Sequence, residues 1–152
     1  RFIGHLQSNK INKFMNLFDT IDSIDSYKLA NKINTKAERL KKPLIGLIEI
    51  NTSGDKSKKG FKPFLTDEII ECLHLSHLNI NGLMTLGPYS QNPTDTRRAF
   101  VDLRKFLDQV NKEVGSEKLT ELSMGMSGDF ITAIEEGSTM VRVGTSLFGA
   151  RE

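Results

Sequence analysis

The segment MVRVGTSLF, residues 140–148, gives the clearest indication of the fold and of a binding site in this chain. It is typical of a buried β-strand that carries one arginine, Arg142, in an otherwise apolar run, followed by a Gly-Thr turn whose backbone amides can meet an anion. A desolvated guanidinium needs a partner, because leaving it unpaired costs a large share of a domain's stability. We therefore expect Arg142 to meet a ligand or a carboxylate at the end of this strand.

The segment directly upstream shows a second anion-binding pattern. Residues 118–124 are predicted to form a strand, and Ser127 with Gly128 is predicted to open a helix, where a hydroxyl and free backbone amides converge. A (β/α)8 TIM-type barrel places its phosphate site in the loops after its last two strands. A doubly wound sheet would instead carry an early glycine-rich phosphate loop, and neither G-x-G-x-x-G nor a Walker A motif occurs here. The pattern favours the barrel.

The rest of the chain alternates strand and helix patterns at a spacing of roughly 20 to 35 residues, which is typical of βα units. About six strands are predicted, two fewer than a closed barrel needs. The chain lacks an initial methionine, and Arg1-Phe2-Ile3-Gly4 is typical of the middle of a strand. We therefore expect residues 1–152 to form a single, N-terminally incomplete barrel domain that lacks the first two βα units and keeps strands 3–8.

Composition excludes several classes of protein. With 152 residues, 38% hydrophobic and 26% charged, the chain fits one globular domain. The balance of 21 basic against 19 acidic residues is too even to indicate nucleic-acid binding. Cys72 is the single cysteine, which excludes an internal disulfide and fits a reducing compartment. No apolar run approaches the roughly 20 residues of a membrane span. We expect a cytoplasmic protein without nucleic-acid or membrane partners.

Three further candidates are weaker. His74 and His77 are spaced as metal ligands on a predicted helix, but no third ligand is evident, so we expect no metal site. The lysine-rich loop at residues 56–62 fits a solvated loop better than a nucleic-acid contact, because no aromatic residues interleave it. His5 has either a catalytic role or, as the more frequent case, a structural one.

Several motifs in this chain resemble the pyridoxal phosphate homeostasis protein family. They are FIGHLQSNK (2–10), NTSG (51–54) with SKKG (57–60), GLMT (82–85), LSMGMSGDF (122–130), and GSTMVRVGT (137–145) with FGAR (148–151). The resemblance implies a barrel like that of alanine racemase, without the second domain of that enzyme. It also implies a cytoplasmic carrier and regulator in intracellular homeostasis of pyridoxal 5′-phosphate (PLP), a form of vitamin B6, with no catalytic residues and no turnover.

Carried over by position, the resemblance implies a set of cofactor-binding residues. Ser127, Gly144 and Thr145 correspond to the phosphate ligands, Arg142 to the partner of the pyridine nitrogen, and Ser123 with Met124 to neighbours of the ring. An arginine does not give up a proton, so it donates to the ring nitrogen without protonating it. A ring held in this way is a poor electron sink, which agrees with the absence of turnover.

The chain departs from the family in one respect. Family members carry the Schiff-base lysine on their first strand, and this chain begins at what resembles the third; Lys10 belongs to a later helix of the family pattern. We therefore expect this chain to bind PLP or phosphate without linking PLP covalently. An open barrel also has two exposed strand edges, which can pair with the missing N-terminal segment or with another copy.

Two enzyme classes remain as alternatives. A PLP-dependent racemase or decarboxylase barrel needs a tyrosine acid/base, and neither Tyr27 nor Tyr89 follows a predicted pocket strand in the required way. A barrel enzyme for another phosphorylated small molecule needs only the anion-binding strand ends. Binding of sugar phosphates in place of PLP would indicate that third class.

Overall fold

The computed structural model describes residues 1–55, 57–90 and 92–149. Helices and strands alternate along the chain, as the spacing of the apolar segments predicts. After a 3-10 turn at Ser8–Lys10, the order is α1 (Ile11–Leu17), β1 (Thr20–Ile24), α2 (Tyr27–Leu40), β2 (Leu44–Glu49), α3 (Asp67–Leu73), β3 (Leu78–Met84), α4 (Pro93–Val114), β4 (Glu121–Met126), α5 (Phe130–Glu135), β5 (Met140–Arg142) and α6 (Thr145–Phe148).

The five strands form one parallel sheet in the order β1-β2-β3-β4-β5, so each strand pairs with the next along the chain. This sequential parallel order is that of a half-barrel and confirms the predicted α/β class. Six strands are expected from the sequence, whereas the strand predicted at residues 2–4 is reduced to a parallel bridge between Phe2 and Ile21.

The two longest helices begin and end at residues suited to those positions. The Ser26 hydroxyl accepts a hydrogen bond from the Leu29 amide at the start of α2, and the Asn92 side chain caps α4 ahead of Pro93. Gly115 ends α4 in the left-handed conformation, which glycine adopts without strain. No helix in the described ranges is both long and apolar enough to cross a bilayer.

One face of the sheet packs against the helices, and the other face is polar at the strand ends. On β2, Leu44 and Ile48 join the core together with buried residues of α2, α3 and α4. Glu49, one position after Ile48, projects to the opposite face because side chains alternate along a strand. The helix-free face therefore holds the groups that could meet a ligand.

The C-terminal strand differs from its predicted form. Only Met140–Arg142 is β-strand, and its residues are half-buried, because β5 is the edge strand of this sheet. The chain then leaves the sheet as α6, where Leu147 and Phe148 are exposed. A strand ahead of the predicted Gly-Thr turn is thus confirmed over Met140–Arg142, whereas its predicted burial is wrong.

Candidate anion and ring site at the strand ends

The candidate site is built on a row of residues in register across four strands. Glu49 on β2 is paired with Met84 on β3, Met84 with Ser123 on β4, and Ser123 with Met140 on β5. Residues in register on neighbouring parallel strands project to the same face. The helix-free face thus carries a carboxyl at one end of this row and a hydroxyl toward the other.

Arg142 lies across this row. Its Nη1 donates to the Ser123 hydroxyl at 2.7 Å, and its Nη2 donates to the Thr85 carbonyl at 2.7 Å. Burial lowers the pKa of Arg142, although the negative charges of Asp22, Asp129 and Glu49 oppose that effect. Because a guanidinium has five N–H donors, three remain for a ligand. The half-buried arginine thus has polar partners, but within the described residues no carboxylate pairs with it directly.

A second group of donors lies around Ser127. The Ser127 hydroxyl oxygen accepts hydrogen bonds from the backbone amides of Gly144 and Ser146, both at 3.2 Å. Two amides that converge on one oxygen are arranged as they would be around a phosphate oxygen. Thr145, between those amides, is exposed. Three of the sequence-derived candidates, Ser127, Gly144 and Thr145, are therefore adjacent, and Ser146 joins them.

Two expectations about individual residues are corrected. Ser127 does not cap a helix, because α5 begins at Phe130 and Asp129 occupies the N-cap position. The Asp129 carboxylate accepts a hydrogen bond from the Met126 amide. Met124 is fully buried in the hydrophobic core, on the face opposite its neighbour Ser123. Its side chain is therefore not beside the guanidinium of Arg142.

The polar loop after β2 contacts the other side of the site. The Thr52 and Thr85 hydroxyls lie 2.8 Å apart, and Thr85 donates to the Ile50 carbonyl, so the ends of β2 and β3 are tied together. His5 is exposed; its Nδ1 is 3.2 Å from the Asp25 carboxylate, and its Nε2 is 2.6 Å from Lys59 Nζ. His5 thus connects the segment before α1 to the loop after β2.

The lysine-rich loop and the histidine pair have no ligand-like arrangement. Lys58 Nζ donates to the Gly87 carbonyl at 2.8 Å, which ties the loop to the end of β3; Lys56 lies outside the described residues. His74 and His77 follow α3 in a turn, not on a helix as predicted. Among the described residues, no group of three or more histidine, cysteine or acidic side chains is placed to hold a metal ion.

Glu49 is the site residue that the sequence prediction missed. Burial raises its pKa, and the nearby Asp25 carboxylate adds to the increase. The positive charges of Arg142 and Lys59, together with His5, act in the opposite direction. The available signal was its position as the one acid in the apolar run LIGLIEI, residues 44–50, the same kind of signal that identified Arg142.

The raised pKa of Glu49 predicts that removing its carboxyl increases the free energy of unfolding in a pH-dependent way. A carboxyl with a raised folded-state pKa contributes stability that is complete below its unfolded pKa of about 4.3 and is lost as the pH rises through the folded value. We expect Glu49→Gln to be more stable than the parent chain at pH 7, with the difference disappearing below about pH 4. Urea unfolding at both pH values measures this.

Glu117→Gln, at an exposed carboxyl in the loop after α4, is the matched control. Its stability should follow that of the parent chain at both pH values. A Glu49→Gln variant that is less stable at pH 7 than at pH 4, relative to the parent, would show that the carboxylate stabilises the fold.

Fold and site together define an α/β domain with a candidate anion site at the carboxyl ends of parallel strands. Residues 2–152 match the family described as "Alanine racemase, N-terminal domain". The chain belongs to that family and, within it, groups with the pyridoxal phosphate homeostasis proteins, as the following identities show.

Curated relatives named "Pyridoxal phosphate homeostasis protein" match 99% of the chain. The protein of Aquifex aeolicus is 43% identical over 152 residues, and the chain covers 66% of its length. The Synechocystis protein is 42% identical with 69% of its length covered, and the human protein is 41% identical with 58% covered. The chain thus spans about two thirds of the length of the bacterial relatives.

Solved structures agree with this grouping. PipY of Synechococcus elongatus, in a structure described as having PLP bound, superimposes with a TM-score of 0.86 at 35% identity, covering 96% of this chain and 68% of PipY. Alanine racemase of Clostridium difficile superimposes with a TM-score of 0.80 at 22% identity, covering 97% of this chain and 40% of the racemase. At that lower identity the likeness concerns the fold alone.

Proposed function

We propose that this chain binds pyridoxal 5′-phosphate and acts in its intracellular homeostasis as a carrier or regulator without catalytic turnover. The observation that carries the proposal is the pairing of two donor groups at adjacent strand ends. Arg142 has free guanidinium donors, and the amides of Gly144 and Ser146 converge on one oxygen. The names of the curated relatives and the PLP-bound PipY structure support the same ligand.

The residues present fit the cofactor. Ser127, Gly144 and Thr145 would hold the phosphate, since a phosphate oxygen can take the amide hydrogen bonds that the Ser127 hydroxyl now accepts. Arg142 would donate to the pyridine nitrogen, with Ser123 fixing the orientation of the guanidinium. Met124 would contribute only through its backbone, given its buried side chain.

When bound, PLP supplies an electron-withdrawing ring that stabilises carbanions in amino-acid chemistry. Arg142 limits that chemistry, because its N–H donors orient the ring nitrogen without giving it a proton. The chain's contribution is therefore binding and orientation. A non-enzymatic role agrees with the relatives, which are named as homeostasis proteins.

We further infer that the sheet corresponds to the later strands of an eight-stranded barrel and belongs to one domain. The sequential parallel order and the placement of the site at the carboxyl ends support this. Open strand edges would then pair with an N-terminal segment or a second copy. A cytoplasmic location is consistent with the single buried thiol, Cys72.

Binding of PLP compared with pyridoxal, which lacks the phosphate, tests the proposal. We expect the chain to bind PLP saturably and pyridoxal far more weakly. The double variant Ser127→Ala/Thr145→Val should weaken PLP binding roughly tenfold or more, since hydrogen bonds to a charged group are each worth about 1.5–3 kcal/mol. Fluorescence titration measures both affinities.

Ser116→Ala, in the exposed loop after α4, is the control for this pair and should leave both affinities unchanged. Borohydride treatment of the PLP complex, followed by peptide mapping, should leave every lysine unmodified. A pyridoxyl-lysine in the chain would refute non-covalent binding, and equal affinity for PLP and pyridoxal would refute the phosphate site. Saturable binding of sugar phosphates in place of PLP would favour an enzyme for another phosphorylated substrate.

A further inference from the structure

The outward face of α2 carries a basic stripe of four cations, Lys28, Lys32, Lys36 and Arg39. Their spacing of four, four and three residues places them within about 80° of arc around the helix axis. Three of the four are exposed, and Lys36 is half-buried. The residues of α2 that enter the core lie on the other side of the helix, so the stripe faces away from the sheet and from the candidate PLP site.

The basic stripe lacks acidic partners. In the described part of the chain, none of its cations forms an ion pair within 4.0 Å. On α4, by contrast, Arg97 and Arg104 both pair with Glu136 of α5, and Arg98 pairs with Asp102. Like charges four residues apart destabilise a helix. The stability of α2 therefore does not explain the stripe.

The stripe belongs to a wider asymmetry of charge along the chain. Residues 1–42 carry nine basic and four acidic side chains, whereas residues 43–152 carry 12 basic and 15 acidic ones. Glu38 is the single acid of α2, and it lies outside the arc of the stripe. A chain that is nearly neutral overall thus presents one positive surface. Such a surface attracts acidic partners and orients them as they approach.

A groove between α1 and α2 lies beside the basic stripe. Its volume is about 360 Å³, and neither an acidic nor an aromatic residue of the described chain lines it. Three cations of the stripe line it together with neutral hydrogen-bonding side chains: Lys32, Lys36, Arg39, Ser8, Asn12 and Asn31. An asparagine amide has both a donor and an acceptor, as a peptide group has, whereas a phosphate diester has acceptors only. The groove therefore suits a polypeptide better than a nucleic-acid strand, which would also use aromatic stacking.

We propose that the basic stripe and this groove bind an extended, acidic segment of a partner protein. Cations four residues apart on a helix are separated by a rise of about 6 Å. Alternate side chains of an extended segment project to the same side at intervals of about 6.6 Å, so carboxylates at every second position match the stripe. From Lys28 to Arg39 the stripe is about 17 Å long, which about five extended residues span.

Fluorescence anisotropy with a labelled heptapeptide in which glutamate and serine alternate tests the proposal. We expect saturable binding that weakens as the ionic strength rises, and no binding of the analogue with glutamine in place of glutamate. Lys32→Gln/Lys36→Gln should lower the affinity roughly fivefold to tenfold, as expected for the loss of two exposed ion pairs. Lys105→Gln/Lys112→Gln, which removes two exposed cations from α4, is the matched control and should bind the peptide as the parent chain does.

Four results would overturn the proposal, provided that circular dichroism shows both double variants to be folded. They are an unchanged affinity in Lys32→Gln/Lys36→Gln, an equal loss in both double variants, binding of the glutamine analogue as tight as that of the acidic peptide, and tighter binding of a single-stranded thymidylate heptamer than of the peptide. Sedimentation measures a further alternative. Self-association of the parent chain that Lys32→Gln/Lys36→Gln removes would identify a second copy, in place of a partner protein, as the occupant.

Discussion

Replacing Phe106 with alanine is expected to lower the free energy of unfolding by about 3–5 kcal/mol, the cost typical of truncating a buried aromatic ring. Phe106 lies on α4, is fully buried, and meets the ring of Phe64 edge-on at a centroid distance of 5.6 Å. The substitution removes these contacts and leaves a cavity that the surrounding core can fill only in part. Urea unfolding followed by circular dichroism measures the change.

Lys105→Ala provides the matched control, because Lys105 precedes Phe106 on the same helix and is exposed. Its effect should stay within about 0.5 kcal/mol, as for most surface substitutions. Phe106→Leu, which loses less volume, keeps the series measurable if the alanine variant does not fold. A loss below about 1 kcal/mol for Phe106→Ala would mean that α4 contributes little to the core.

Local signals in the sequence predicted most of the fold correctly. The apolar spacing of α4 and its caps at Asn92 and Gly115 depend only on residues in and next to the helix. They can therefore be predicted from the sequence. The burial of the C-terminal strand was harder to predict, because MVRVGTSLF has the composition of a buried strand. Its burial depends on which strand neighbours it, and β5 has a partner on one side in this sheet.

The candidate site was predicted in part, and the failures have physical causes. Arg142 was expected to meet a ligand or a carboxylate; no carboxylate among the described residues pairs with it, and its protein partners are a hydroxyl and a carbonyl. The sequence cannot show the Thr85 carbonyl as a partner, because every residue carries one. Met124 was misplaced because side chains alternate along a strand, so that Ser123 and Met124 face opposite sides of β4.

Glu49 was missed because a single acid near the end of an apolar run also fits a strand end that faces solvent. It has the same sequence signature as Arg142, one ionisable residue in an apolar strand, and the strand register together with the Arg142–Ser123 hydrogen bond places both on the helix-free face. Removing the Glu49 carboxyl is expected to stabilise the fold at neutral pH, because burial disfavours its charged form.

Arg142→Leu is expected to lower the affinity for PLP by roughly ten- to a hundredfold, equivalent to the loss of a hydrogen bond from a charged donor. The variant removes the proposed donor to the ring nitrogen together with the hydrogen bond from Arg142 to the Ser123 hydroxyl. Arg142→Lys should recover only part of the affinity, because an ammonium lacks the planar fork that reaches Ser123 and Thr85 together. Fluorescence titration at constant ionic strength measures these affinities.

A ligand analogue separates a direct contact of Arg142 from a structural role. In 1-deaza-PLP, a carbon replaces the ring nitrogen, so the arginine has no acceptor at that position. The parent chain should therefore bind PLP more tightly than the analogue, and Arg142→Leu should bind both alike. Arg98→Leu, at a guanidinium with 83% of its side chain exposed, should behave as the parent. If the analogue binds the parent chain as tightly as PLP does, Arg142 does not contact the ring nitrogen, and its two hydrogen bonds serve only to join β4 and β5 to the end of β3.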